Sequence, residues 1–258
     1  MANFTYLLQS DNLIPQATLT PTSEDADFPI ENVQAEPIAQ VSRTTSPSAQ
    51  KTLIDFSGQV TADIFAVVNH NLTDQATITL RGGSSQDPDG SSFELAIPWA
   101  TRNAWALFDA AEQWQYWSLT IDDSSNPDGV IEAGLLSLGQ ATQLSRNFNL
   151  GSERRRETVN QVLESEFGVI ATGINLFQRT RFACSFKATS DQERIELDEF
   201  LLRLERARSG LLFIPDAAEG AAYYGRLMTD HAVVRTFQDI SEISGLEFVE
   251  DSAGRSIF

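Results

Sequence analysis

The chain has 258 residues, 41% of them hydrophobic, and sets 36 acidic side chains against 18 basic ones for a net charge of −18. That is enough apolar sequence to bury a core in one large domain or two medium ones. It excludes a helical membrane span, since no 18-residue apolar window occurs, and it argues against direct nucleic-acid binding, since an acidic surface repels phosphate.

Met1 to Tyr6 carries no basic segment followed by an apolar one, so no secretion signal is expected. Residues 4–9 and 17–20 read as short strands. From Thr22 to Val33 a loop dips inward at Phe28, Ile30 and Val33, and Pro29 and Pro37 disfavour a helix there. Lys51 to Phe56 reads as a strand that ends in a turn around Gly58. Asp63 to Val68 is the most apolar strand, and it runs into the polar corner Asn69-His70-Asn71-Leu72. Ala76 to Arg81 alternates, with Ile78 and Leu80 on one face. Gly82 to Ser92 is a loop containing Asp87-Pro88-Asp89-Gly90.

The most informative stretch is Trp114 to Gly139. Tyr116 and Trp117 open a strand, Leu119 and Ile121 alternate along it, and Asp122 to Gly129 holds the residues that make turns. A second apolar run spans Val130 to Leu138. Two strands about such a loop belong to an antiparallel all-β domain, and the strand spacing predicts a β-sandwich.

These residues carry a resemblance. Thr22-Ser23 with Phe28-Pro29-Ile30-Glu31-Asn32, then Leu53-Ile54-Asp55-Phe56, Val67-Val68-Asn69-His70-Asn71-Leu72, Ala76 to Arg81 and Tyr116 to Asp122 follow in an order that resembles the galactose-binding-like (discoidin-like) jelly-roll sandwich. More narrowly, the Asn71-Leu72 corner and the Tyr116-Trp117 to Gly129 segment are similar to the version in tail proteins of tailed bacteriophages. The resemblance covers roughly residues 15–140. Sugar-binding members present aromatic and charged groups on loops at one end. Here those loops are mostly Ser, Asp, Gly and Thr, so no carbohydrate site is carried over.

Charge divides the chain. Residues 1–145 hold four basic and eighteen acidic residues, net −14, and residues 146–258 hold fourteen and eighteen, net −4. The shift predicts two domains, 1–145 and 146–258, joined through Gln140 to Gly151. Glu153-Arg154-Arg155-Arg156-Glu157 then reads either as a subunit contact, where arginine binds carboxylates, or as a solvated strand edge. Thr158 to Glu166 alternates as a strand, Gly168 and Gly173 flank a turn, and Ile174 to Phe186 returns with Phe182, Cys184 and Phe186 on its inner face. A helix is expected over 190–208. Ser190 and Glu193 form its capping box, and Leu197, Phe200, Leu201, Leu204 and Ala207 make the apolar stripe. Gly210 is placed to close it in the left-handed conformation, while Arg203, Arg206 and Arg208 suit the carboxyl end of the helix dipole. Strands follow at Leu211 to Asp216, Ala222 to Met228, Ala232 to Phe237 and Gly245 to Glu250. This order resembles the tail-ring domain of phage distal tail proteins, which is similar to the tail-tube subunit and forms a ring.

Little in the chain points to chemistry. Asp122/Asp123 and Asp87/Asp89 are the best candidates for calcium, but turn formation explains both pairs and no bidentate Glu follows. Cys184 is the single cysteine, and it lacks the activating histidine a nucleophile needs, since neither His70 nor His231 lies in a recognisable motif. Trp114 and Trp117 open a core strand, whereas Trp99 and Trp105 fall beside Pro98 and Asn103 and are candidates for a surface platform. No phosphate loop or nucleophile elbow occurs.

The expected fold is mostly β: an N-terminal jelly-roll β-sandwich (galactose-binding-like), then a C-terminal β-barrel/sandwich with one helix (tail-tube-like ring domain). No catalytic, cofactor or metal residue is assigned, and the chain is not expected to be an enzyme; a cell-wall hydrolase is the weakest alternative. The resemblance implies a structural virion protein, located in the tail and synthesised in the host cytoplasm. It would form a ring of six copies, with three as the fallback, that joins the tail tube protein to tail hub or tip proteins. The alternative is a carbohydrate-binding module for host-surface adhesion.

Overall fold

The structure is a computed structural model. It describes residues 4–145, 147–148, 153–164, 170–188, 190–207, 210–216, 220–228, 232–237 and 240–251, with backbone alone for 159–164, 170–178, 205–207, 232–237 and 240–245. In chain order the strands are β1 (Thr5–Leu8), β2 (Thr18–Pro21), β3 (Ser42–Arg43), β4 (Gln50–Val68), β5 (Thr77–Gly83), β6 (Phe93–Ile97), β7 (Asn103–Asp122), β8 (Glu132–Ala133), β9 (Leu135–Gly139) and β10 (Thr142–Gln143). They continue as β11 (Glu153–Glu164), β12 (Ile170–Ala188), helix α1 (Asp191–Ala207), β13 (Leu211–Ile214), β14 (Tyr223–Leu227), β15 (Ala232–Phe237) and β16 (Ile240–Glu250). The expected class is the one observed, mostly β with antiparallel sheets and one helix.

Two compact units form. The first comprises 1–143 and 210–224, and the second 144–209 and 225–258. The division passes through β14. Segment 210–224, which follows the helix in sequence, packs within the first unit.

In the first unit β4 and β7 are the spine. They pair antiparallel from Gln50↔Ile121 to Val68↔Asn103, with register shifts at Asp55/Val60 and Ala62/Ile64. Those shifts divide β4 into halves with different outer neighbours: β2 beside Thr52 to Asp55, and β9 beside Ile64 to Val68. On its other edge β7 carries β5, and β5 carries β6. The sequence suggested a turn at Gly58, but the chain stays extended through it. Ser57, Gly58 and Gln59 are exposed where the register slips, and extra residues in one strand bend it without reversing it. Likewise Val130 to Leu138 does not fold back on the Trp117 strand. Its core, β9, pairs with β4 instead.

Segment Ile64–Val68 is apolar throughout because both its faces are covered. Phe65 and Val67 join the sandwich core with Trp117, Leu119, Leu136 and Leu138. Ile64, Ala66 and Val68 point the other way, into a cluster with Leu7, Leu212, Ile214 and Tyr224. A strand buried on both faces reads as a continuous run rather than an alternation.

In the second unit β16 lies between β12 on one side and β14 and β15 on the other, and β11 is the edge strand beyond β12. Phe182, Cys184, Phe186 and Ala188 are buried and alternate with outward residues. Helix α1 covers that inner face, with Phe200 meeting Phe186 edge-on at 6.3 Å between ring centroids. Leu197, Phe200, Leu201 and Leu204 are buried as the stripe requires. Ser190 Oγ accepts from Glu193 N at 3.2 Å, the expected cap. Arg208, Glu166, Gly168 and His231 lie outside the described residues, as do the side chains of Arg206 and Ala207. Gly173 lies inside β12 rather than in a turn. Gly210 is not in the left-handed region. Glycine is required there for space, because a methyl group would meet the Tyr224 phenol and the Glu36 carboxylate.

Candidate functional site

The two motifs that carried the resemblance turn out to be partners in one hydrogen-bond network. Asp123, 1% exposed, accepts from Thr73 N (2.8 Å), Thr73 Oγ1 (2.6 Å) and Asn126 Nδ2 (3.0 Å). Asn71 donates from Nδ2 to Asp128 Oδ2 and to Val130 O, both at 3.0 Å, and its Oδ1 accepts from Glu132 N at 2.8 Å. At the same corner, His70 Nδ1 accepts from Leu72 N at 3.1 Å. The polar corner and the Asp-Asn-Pro-Gly loop therefore hold one another. A buried carboxylate that accepts three hydrogen bonds, as Asp123 does, specifies a loop conformation; here it is committed to architecture.

The other acidic candidates separate in the same way. Asp87 pairs with Lys51 Nζ. Asp89 Oδ1 instead accepts from Ser91 N at 2.9 Å, and the Ser91 side chain and amide hold its carboxyl below the usual range. Asp122 is half-buried, and its Oδ1 has no hydrogen-bond partner among the described residues. No three His, Cys, Asp or Glu side chains converge among the described residues.

The tryptophans divide differently from the sequence expectation. Trp105 is 7% exposed, and its Nε1 donates to Gly220 O at 3.0 Å, while Asn103 Nδ2 donates to Ala222 O at 3.0 Å. Trp105 is therefore a packing residue under segment 210–224, a partner 115 positions away. Asn103 begins a strand rather than a loop, which corrects the reading of Trp105 as a surface platform. Trp99 remains 36% exposed, its ring fixed by Nε1 donating to Leu72 O at 2.9 Å.

The second unit presents a different kind of site. Strand period two places Glu153, Arg155 and Glu157 on one face of β11, and the register sets Arg155 opposite Arg181 and Glu157 opposite Arg179. Like charges directly opposite repel, so carboxylates must intervene. Glu157 Oε2 accepts from Arg179 Nε at 2.6 Å and Arg181 Nε at 2.7 Å, and Arg181 Nη1 reaches Glu247 on β16 at 2.8 Å. Arg155 Nε donates to Glu153 at 2.6 Å. Hydrogen bonds from Arg181 and then Arg179 pull the Glu157 carboxyl down to about 2. Glu157 and then Glu247 push the Arg181 guanidinium upward.

These side chains rim an open groove of about 750 Å³ on the outward face, with Ala183 and Ser185 between them. Cys184 and Leu246 are buried beneath it. Burial pushes the Cys184 thiol up to about 12, so it is a packing residue and not a nucleophile. Solvated ion pairs of this kind contribute little to stability. What the groove offers is an ordered, charge-balanced array of guanidinium and carboxylate groups on the outward face of the sheet. The sequence marked Arg154 to Arg156 but not Arg179, Arg181 or Glu247, which only the register brings alongside.

No protein-family model matches the chain, and no curated protein matches it in sequence. Solved structures similar to parts of it include the family 32 carbohydrate-binding module of Clostridium perfringens NanJ in complex with galactose, at 14% identity, covering 54% of this chain and 99% of that one, with a TM-score of 0.39. The lectin domain of lectinolysin complexed with Lewis B antigen is 8% identical over 51% of this chain and 97% of that one, with a TM-score of 0.42. SpGH29 is 10% identical over 52% of this chain, which spans only 29% of that chain, with a TM-score of 0.41. Those ligands are properties of those proteins.

Proposed function

We propose that the chain is a structural subunit of a bacteriophage tail, closing with copies of itself into a ring at the tail's distal end and joining tail tube to tip. The observation that carries this reading is the ion-paired groove on β11, β12 and β16, in a sheet whose last strand, β11, is paired on one side only among the described residues. Edge strands bearing charge resist indiscriminate pairing yet offer a specific contact. A closed ring needs one surface of a copy to fit a different surface of the next. The resemblance of 190–250 to the tail-ring domain supports the same reading. The proposal includes no catalytic step, and it assigns the protein to the virion. The test is the mass of the purified chain by light scattering. Six copies of the 28.5 kDa subunit are expected, or three; a subunit-sized particle at every concentration would reject the reading.

One residue keeps a second reading, carbohydrate binding for host adhesion. Trp99 holds a fixed, partly exposed ring, and flat aromatic faces stack on apolar ligand surfaces. Under this reading a glycan array gives signal that Trp99→Ala abolishes without loss of fold. A blank array removes it.

A further inference from the structure

The sandwich core of the first unit is not closed evenly. At the start of β4 the main sheet is covered by the 3-10 turn Ile30–Gln34 and by the two-residue strands β3 and β8. Between these layers lies a cavity of about 40 Å³. Its walls are mostly apolar: Ile30, Val33, Leu119, Ile121, Ile131 and Ala133 line it, and all belong to the buried core. Four polar side chains line it too. Gln50 and Thr52 share the core-side face of β4 with Ile54, by strand period two, and Ser42 is the cross-strand partner of Ala133. Thr44 Oγ1 donates to Ser46 O at 2.6 Å and accepts from Ile131 N at 2.9 Å. Gln50 accepts from Ser23 Oγ at 2.5 Å and donates to Ser48 O at 2.7 Å. The hydroxyls of Ser42 and Thr52 make no hydrogen bond among the described residues, although Ser42 is 6% exposed. Thr44, Gln50 and Thr52 are half-buried while the other lining residues are buried, so the cavity opens on their side.

We propose that this cavity is a binding site for a small neutral molecule, a short apolar chain ending in one hydroxyl. Size, walls and unmatched polarity each select that class. One water needs about 10–15 Å³, so the space admits about three water-sized groups. A charged molecule would lose its hydration against walls that return nothing for it. Water alone would meet too few polar partners there, since a buried water needs two to four. A pure hydrocarbon would leave the Ser42 hydroxyl unpaired, and a buried hydroxyl without a partner is unfavourable. A ligand hydroxyl can donate to and accept from it, while the carbon chain lies against the isoleucines. This site lies within one sandwich, needs no second copy of the chain and is independent of the ring reading.

The test titrates the full chain with ethanol and reads the methyl resonances of its isoleucine, leucine and valine side chains. The expected result is a saturable shift confined to the cavity, at Ile30, Val33, Leu119 and Ile131. Ethylammonium, similar in size but charged, should leave those methyls unmoved. Ala133→Val fills part of the space and should abolish the saturable shift. Ser42→Ala combined with Thr52→Val keeps the space but removes both hydroxyls, and should weaken ethanol binding by about threefold to tenfold, the worth of one hydrogen bond. The methyl spectrum of each variant shows whether its fold is kept; if Ala133→Val does not fold, the variant without hydroxyls decides. Shifts that rise linearly without saturating, that spread over surface methyls, or that persist in Ala133→Val overturn the site. An equal response to ethylammonium, or binding that is no weaker without the hydroxyls, overturns the ligand class.

Discussion

Replacing Trp117 with alanine is expected to destabilise the protein by about 3–5 kcal/mol, the cost of emptying an aromatic site in a packed core. Trp117 is fully buried. Its ring meets Phe93 edge-on at 5.7 Å and Phe108 at 6.1 Å, and its Nε1 donates to Trp114 O at 3.3 Å. Gly82 pairs with Trp117 in register, and a side chain at Gly82 would run into the Trp114 ring. Loss of the indole therefore forfeits both the transfer free energy and the contacts of two aromatic neighbours. Urea unfolding followed by circular dichroism measures it, and the melting temperature should fall by roughly 8–15 °C for a unit of this size. A change below about 1 kcal/mol would mean that Trp117 does not sit between β4 and β5 as described.

The second large effect is expected at Asp123. Alanine there removes the acceptor for Thr73 N, Thr73 Oγ1 and Asn126 Nδ2 at once, and leaves donors in a site where Asp123 itself was 1% exposed. Unsatisfied buried donors cost more than a hydrogen bond contributes, so the loss is about 3 kcal/mol. Asparagine at this position is no rescue, because its amide sets donors against Thr73 and Asn126. If Asp123 instead served a ligand, alanine would leave stability within about 0.5 kcal/mol of wild type. Comparing Asp123→Ala with Asp123→Asn in the same urea series separates the two roles.

Local chemistry in the sequence was legible, and partners distant in the chain were not. Ile78 and Leu80 alternate and are buried together; Ser190 caps its helix; Phe182, Cys184 and Phe186 share an inner face. Each of these follows from spacing within a dozen residues. Periodicity says which face is covered but not by what. It could not show that β9 lies against β4, that Trp105 lies under Gly220, or that Arg181 bridges Glu157 and Glu247. Gly58 read as a turn because glycine commonly marks one, yet the 19-residue strand β4 passes through it by a bulge. Gly210 looked like a left-handed cap because it follows a helix, while its actual constraint is the Tyr224 phenol, fourteen positions on, whose hydroxyl donates to Glu36 at 2.6 Å. The candidate groove was half visible. Three arginines in a row announced charge, but Arg179, Arg181 and Glu247, which complete the ion-paired array, lie on strands further along the chain.

The account makes this chain a building block that works through its surfaces, and one measurement tests that most directly. Electron microscopy of the purified full-length protein should show closed rings of uniform size, with a copy number of six or three confirmed by native mass spectrometry. Single 28.5 kDa particles, or open chains of indefinite length, would contradict it.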